Sequence, residues 1–519
     1  MDIRKRTLTG LLLIWAFLFG AFVRVLPVWQ AGFPLNDGGL FYSMTADLQR
    51  AGSKLPAVTT YNRLSIPFAY PPLAFYLADF IQTLTRFSLI EVVRWLPVLF
   101  SLLTLPAFFL LARSLLGDPL KGALATALYA LLPRSYEWII MGGGVTRAPA
   151  ALFLILMAWG AYRLFREGGW LNLLITTVCG ALVVLLHPER ALHAAAMGAI
   201  FCLYFGRSLK GLARAAGVAG GVLVLSAPWW ATGLIRFGWT PFYMAFQSGG
   251  GHGLFWSPLL LLNFTDEQIA VTVLLAVIGV IACLVRKKTF LPAWLVLAFL
   301  VDPRSAPHVV PVQTALLAAL GLSDVVFPAL ARLAGQEPLA EDWVTFLNTR
   351  KGLWILGYVL LLTLVNAVLN IQTLNQLVLT PDNRTALNWV AGQTPADSHF
   401  LTLGWQENAM LSPLLEWFPA LTDRNNLSTV QGREWLTGKE HFLVRLNAYP
   451  DLYACLYQDA SCLEKWAAQQ GDTFNYVYLD LTPAPGQAPQ ESALSVSLRQ
   501  SGQYDLVYKT ASVLIFAHR

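Results

Sequence analysis

The chain has 519 residues, 56% of them hydrophobic and only 13% charged, with a formal net charge of +6. Soluble domains carry about 25% charged residues, so a water-soluble globular fold cannot account for the whole chain. Basic residues scattered between apolar runs also give no platform for nucleic acid.

Taken from the start, Arg4, Lys5 and Arg6 precede an apolar run at 8–28. A cleavable secretion signal has a shorter core and a small-residue cleavage site, so the run is expected to stay as a first membrane span with its basic flank in the cytoplasm. The segment 29–91 is then an external loop. Within it, 71–86 reads PPLAFYLADFIQTLTR. At 1.5 Å per residue it reaches only about 24 Å, short of the roughly 30 Å of hydrocarbon. Asp79, Gln82, Thr83 and Arg86 fall on one helical face, which describes an amphipathic helix lying in the interface.

Further spans are expected at 92–112, 120–136, 148–164, 171–186, 191–205, 215–235, 269–285, 290–301, 309–330 and 353–371, about eleven in all. With 71–86 outside, Arg113, Lys121, Arg163, Arg166, Arg207, Lys210, Arg214, Arg286, Lys287, Lys288, Arg332, Arg350 and Lys351 share the cytoplasmic side with the N-terminus, as the positive-inside rule requires. The expected architecture is a transmembrane domain at 1–378 and a small extracytoplasmic α/β domain at 379–519. In the latter, 385–393 and 461–470 read as helices, and 399–404, 474–480, 505–509 and 512–517 as strands. Cys455 and Cys462 lie in this polar part. They could form a disulfide in an oxidising compartment or be two core residues.

Ionisable residues at membrane depth are costly and tend to have a function or a partner. The short external turns hold several. They are Asn36-Asp37-Gly38-Gly39; Arg134, Glu137 and Arg147; His187-Pro188-Glu189-Arg190 with His193; and Asp302-Pro303-Arg304 with His308. Each has a plain alternative: turn chemistry for Asp37, snorkelling for Arg134 and Arg147, an ion pair within the turn for Asp302 and Arg304. Their convergence on one face is the argument for a site. Gln247-Ser248-Gly249-Gly250-Gly251-His252-Gly253 reads as a lid over substrate, or as a simple flexible loop. Without a following Lys-Ser or Lys-Thr it is not a P-loop.

Asp37 just beyond the first span, Tyr70-Pro71-Pro72-Leu73 later in the same loop, and the stretch EVVRWLPVLFSLLTLPAFFLLARSLLG at 91–117 together resemble the GT-C superfamily of membrane glycosyltransferases. That superfamily includes protein O-mannosyltransferases, aminoarabinose transferases of lipid A and oligosaccharyltransferases. The resemblance covers about the first 330 residues in topology, with the motifs inside the first 170 or so. Two positions depart from it. Asn36-Asp37 stands where many members have Asp-Glu, and Tyr70 stands where the aminoarabinose branch has Lys, so that lysine's role on the donor phosphate does not carry over.

The resemblance implies a polytopic α-helical GT-C fold in the plasma (inner) membrane, with its C-terminal domain extracytoplasmic. It implies inverting transfer of a glycosyl group from a polyprenyl-phosphate or polyprenyl-diphosphate donor, on the outer face, to a protein, lipid or glycan acceptor. Asp37 is the expected general base, with Glu137 and Glu189 as further catalytic carboxylates. Arg147, Arg190 and Arg304 suit the donor phosphate, and Asn36, Tyr70, His187, His252 and His308 are further candidates for contact with substrate. Some branches use a divalent cation, so Mg²⁺ or Mn²⁺ on Asp37, Glu137 and Glu189 is also an expectation. Competing readings are a lipid-linked saccharide transporter or flippase, a polysaccharide polymerase or ligase, and a non-catalytic scaffold.

Overall fold

The computed structural model describes residues 3–248, 257–260, 262–333, 343–483 and 491–519. The first half is a run of helices: α1 (Ile3–Ala31), α2 (Gly39–Arg50), α3 (Leu73–Thr85), α4 (Leu89–Leu116), α5 (Pro119–Leu131), α6 (Gly144–Arg166), α7 (Trp170–Leu186), α8 (Pro188–Phe205) and α9 (Leu209–Phe237). Val271–Val285, Phe290–Val301, Pro311–Leu333 and Arg350–Leu374 follow. Every expected span thus coincides with a helix. Among the described residues, six helices are long and apolar enough to cross a membrane: Arg4–Ala31, Leu89–Leu116, Gly144–Arg166, Leu209–Phe237, Pro311–Leu333 and Arg350–Leu374. Trp170–Leu186, Val271–Val285 and Phe290–Val301 are apolar but shorter.

Local chemistry sets the helix boundaries. Ser88 caps α4 by accepting the Glu91 N–H, and Gly117 ends it in the left-handed region at φ 68°. Asp118 caps α5 with Pro119 at its first position, and His187 does the same for α8 ahead of Pro188. These are the residue types that satisfy free N–H groups or tolerate the missing one. Within Pro311–Leu333 the α-helix loosens into a π turn at Leu322–Val326. Pro328 has no N–H for the Asp324 carbonyl, and Arg286 donates to that carbonyl instead at 3.3 Å.

Arg24, fully buried in α1, donates to Ser101 Oγ, to the Gly20 and Ala130 carbonyls and to Ser135 Oγ at 2.6–3.1 Å. It ties α1 to α4, α5 and the turn that follows.

The loop after α1 holds two helices, where the sequence pointed to one. α3 falls within the expected helical segment 71–86, with Phe80 and Leu84 exposed and its polar side held by Gln49 on Gln82 and Ser53 on Asp79. The added helix, α2, begins directly after Asp37-Gly38. A two-residue ribbon, β1 (Val58–Thr59) against β2 (Ile66–Pro67), links α2 to α3.

The C-terminal region carries a five-stranded sheet in the order β4-β3-β5-β7-β6, from β3 (His399–Leu403), β4 (Asn425–Asn426), β5 (Tyr476–Asp480), β6 (Tyr504–Lys509) and β7 (Val513–His518). β4, β3 and β5 are parallel, and β7 and β6 continue antiparallel. Cys455 and Cys462 form a disulfide, their Cα atoms 5.6 Å apart. One core lies within this region around Leu401, Val477 and Leu514. A second is shared with the bundle, where Trp417, Phe418 and Tyr478 pack with Phe33, Val92 and Val145. That shared core fixes the C-terminal region against the ends of the helices that carry Phe33, Val92 and Val145, next to the Asp37 turn.

Candidate functional site

Asp37 sits in a turn fixed from both sides. The Asn36 N–H donates to the Leu377 carbonyl and the Gly142 N–H to Leu35, while Trp417 Nε1 donates to the Asn36 carbonyl at 3.0 Å. The Asp37 carboxylate accepts the Gly143 N–H at 2.8 Å and Arg147 Nη2 at 2.5 Å. An added Cβ at Gly143 would lie 2.3 Å from Arg147 Nη2 and 2.6 Å from Asp37 Oδ2, so a side chain there would push the ends of that pair apart. Arg147, four residues on, projects from the first turn of α6 back to the carboxylate and lies over the Trp138 ring at 5.4 Å.

Asp37 and Arg147 open onto a cavity of about 560 Å³ between the bundle and the C-terminal region. Tyr70, His187, Glu189, Arg190, Arg304 and His308 line it as well. Tyr70 OH is 3.3 Å from Thr146 Oγ1. His187 Nδ1 accepts the Arg190 N–H as the α8 cap, which leaves Nε2 to carry the ring proton. Burial holds His187 and His308 well below the usual imidazole range, with neighbouring arginines adding to the effect, so both rings are neutral hydrogen-bonding groups. Arg304 donates to the Ser248 carbonyl, and its own N–H is taken by Asp302. His193 and Asp302 meet through Ser305, at 2.8 and 2.6 Å, and thereby brace the Arg304 turn.

Three expected members lie elsewhere. Asn36 is 1% exposed and its backbone groups anchor the turn, so it shapes the site without lining it. Glu137 is also absent from the cavity lining. It pairs with Arg134, which also holds Asp266, and it accepts from Asn370 at 3.0 Å. Burial pushes its carboxyl up against the pull of Arg134. Held by Arg134 and Asn370, Glu137 does not line the cavity with Asp37. His252 and the glycines around it lie outside the described residues.

The expected metal ligands do not assemble either. Glu137 is drawn away, and among the described residues no three His, Cys, Asp or Glu side chains are grouped to hold an ion. As arranged, these residues do not fit a resident cation.

The C-terminal region supplies a wall of the cavity that sequence reasoning missed: Asn408, Met410, Leu411, Glu416, Gln431 and Glu434. Glu416 Oε1 accepts the N–H groups of Gly38 at 3.2 Å and Leu40 at 3.1 Å, on either side of the start of α2. Burial, then the nearby Asp37 charge, carries the Glu416 carboxyl up to about 8. Trp417 and Trp466 are core residues, with their indole N–H groups on backbone carbonyls.

A larger, almost wholly apolar cavity of about 980 Å³ lies among α6, α7, α8 and α9. Its lining on α8 begins at Ala191, the residue after Arg190.

No protein-family model matches the sequence, and no curated protein matches it. Solved structures do match in shape. The archaeal oligosaccharyltransferase AglB from Archaeoglobus fulgidus, in complex with an inhibitory peptide and a dolichol-phosphate, superposes with a TM-score of 0.57 at 13% identity. The match covers 92% of this chain and 70% of that one. ArnT from Cupriavidus metallidurans bound to undecaprenyl phosphate gives 0.50 at 13% identity, covering 97% and 98%. The arabinofuranosyltransferase AftD from Mycobacteria gives 0.56 at 15% identity, covering 97% of this chain but 40% of the larger AftD. A structure of the Archaeoglobus fulgidus oligosaccharyltransferase in complex with zinc and sulfate matches at 0.54 and 14% identity, covering 91% and 68%. This chain is an apolar, helical membrane protein that shares the fold of these transferase structures.

Proposed function

We propose that the protein transfers a glycosyl group from a polyprenyl-phosphate or polyprenyl-diphosphate donor to an acceptor hydroxyl at the outer face of the membrane. One observation carries this reading: Asp37, Arg147, Glu189, Arg190 and Arg304 share one cavity, and the lining of a second, apolar cavity includes Ala191, the residue after Arg190. A prenyl tail suits the apolar cavity, and its phosphate would then lie among the arginines. Guanidinium groups keep their charge and match phosphate oxygens.

In the transfer step, Asp37 takes the proton of the acceptor hydroxyl. The hydroxyl oxygen bonds to the anomeric carbon as the bond to the phosphate oxygen breaks, and the electron pair leaves with the lipid phosphate. Attack from the face opposite the leaving group inverts the anomeric centre. Arg147, Arg190 and Arg304 stabilise the charge gathering on the phosphate, the kind of preorganised term that contributes most to such catalysis. His187 and His308, neutral in this setting, add hydrogen bonds. On this reading residues 1–378 form the membrane domain with about eleven spans. Residues 379–519 form an external domain, where the Cys455–Cys462 bridge suits an oxidising compartment.

The test is release of polyprenyl phosphate from a panel of radiolabelled polyprenyl-phosphate sugars, by the full chain in lipid nanodiscs, with candidate acceptors supplied. Turnover that Asp37→Asn abolishes supports the reading. Binding of every donor without turnover, coupled to movement of donor across liposomes, would replace it with transport.

A further inference from the structure

The walls of the Asp37 cavity differ in what they leave unpartnered. On the bundle side, Arg147 Nε is buried with no hydrogen-bond partner, as is His308 Nδ1, and Arg190 and Arg304 stand beside them. This wall offers cations and N–H donors. On the C-terminal side, Glu416 Oε2 and Gln431 Oε1 are buried without partners. The Gln431 amide is oriented by its Nε2, which donates to the Ala409 carbonyl. Glu416 Oε1 is already committed to the Gly38 and Leu40 N–H groups. Glu434 adds a third acidic or acceptor group to the same wall.

A buried acceptor left without a donor is costly, so both walls are arranged for a ligand with two different ends. An anionic phosphate suits the arginines. A sugar ring, whose hydroxyls donate as well as accept, suits Glu416 and Gln431. The carboxyl that burial and Asp37 hold up at about 8 can meet a hydroxyl in either protonation state.

We infer that Glu416 and Gln431, both from the C-terminal region, bind the hydroxyls of the glycosyl group, so that this region reads the sugar while the bundle holds the phosphate. The inference rests on the donor class proposed above and adds the pose: the lipid phosphate toward Arg147, Arg190 and Arg304, the sugar toward the C-terminal wall.

The experiment measures binding by the full chain in nanodiscs of two probes, undecaprenyl phosphate and undecaprenyl-phosphate hexose. Wild type is compared with Gln431→Ala, Glu416→Gln and Arg304→Ala, each checked by thermal melting. The expected result is that Gln431→Ala and Glu416→Gln weaken the glycosylated probe by about tenfold or more and leave the bare phosphate within about twofold. Arg304→Ala should weaken both. Gln431→Ala serves as the second variant if Glu416→Gln lowers the melting temperature. Equal loss for both probes, or no loss for either, in Gln431→Ala overturns the inference and leaves the donor class standing. Failure of wild type to bind either probe overturns the donor class and the inference with it.

Discussion

Arg147 donates to Asp37 at 2.5 Å, and the other carboxylate oxygen accepts the Gly143 N–H at 2.8 Å. Each carboxylate oxygen keeps a second lone pair, through which an acceptor hydroxyl can be engaged. On the proposed reading a donor phosphate competes for the same guanidinium, and its binding would loosen the contact to Asp37 Oδ2. Asp37→Asn keeps the shape and removes the basic oxygen. Sugar transfer should fall by about 10²–10⁴-fold, while undecaprenyl phosphate binds at least as tightly as to wild type, because Arg147 loses its internal partner. Parallel turnover and binding assays check both halves, and undiminished turnover would move the search for the base to Glu189.

Gly143 tests the same pair without altering either charge. Its φ is −64°, so alanine strains no backbone. The added Cβ meets the ends of the Arg147 and Asp37 side chains, which are free to shift. Gly143→Ala should therefore fold normally and transfer sugar about tenfold or more slowly, since small displacements of reacting groups are expensive. A melting temperature near wild type combined with lost turnover is the expected signature. Full activity would show that the Asp37–Arg147 contact is not the catalytic arrangement.

What was legible in the sequence follows from how local each signal is. His187-Pro188-Glu189-Arg190 stood out because a short connector between apolar runs has little reason to carry three ionisable groups, and all three line the cavity. Strands such as β3 and β5 were legible from their apolar alternation between turn residues. Glu416 was not. Its partners Gly38 and Leu40 lie more than 370 residues away, and SPLLEWFP by itself reads as an amphipathic helix. Glu137 lies off the cavity for the converse reason: proximity in sequence to Arg147 says nothing about Asn370, which holds it in space. α2 was hidden because Asn36-Asp37-Gly38-Gly39 reads as turn chemistry, and the helix starts within it.

Glu416 also predicts a pH dependence. Its folded pKa of about 8 lies above the ordinary glutamate value of about 4.3. The unfolded chain therefore gives up the proton first as pH rises. Linkage makes the folded state lose stability progressively from about pH 4.5 to about pH 8, with no further loss from this group above that range. Glu416→Gln, which stays neutral, should flatten that part of the stability curve. Melting temperatures of wild type and variant from pH 5 to pH 9 should converge at the acid end and separate toward pH 8, the variant melting higher. Parallel curves would show that Glu416 is ionised throughout and that a cation faces it.

Arg24 is the buried charge that chemistry at the site does not require. Its guanidinium has four hydrogen bonds, to Ser101, Ser135 and the Gly20 and Ala130 carbonyls, and lies over the Tyr136 ring at 5.0 Å. It does not line the Asp37 cavity. Ionisable side chains within a bundle persist where they are fully paired, and this one joins α1 to α4, α5 and the turn leading toward Trp138. Arg24→Met keeps an unbranched apolar stem and removes every donor. Ser101, Ser135 and the Ala130 carbonyl then lose a donor, which costs about 2–4 kcal/mol in total. The variant should melt at a lower temperature and retain its affinity for undecaprenyl phosphate once folded. A variant as stable as wild type but unable to bind the lipid phosphate would place Arg24 in the path of the donor, because an arginine that does not hold the bundle together has no other reason to sit in α1 with no exposed surface.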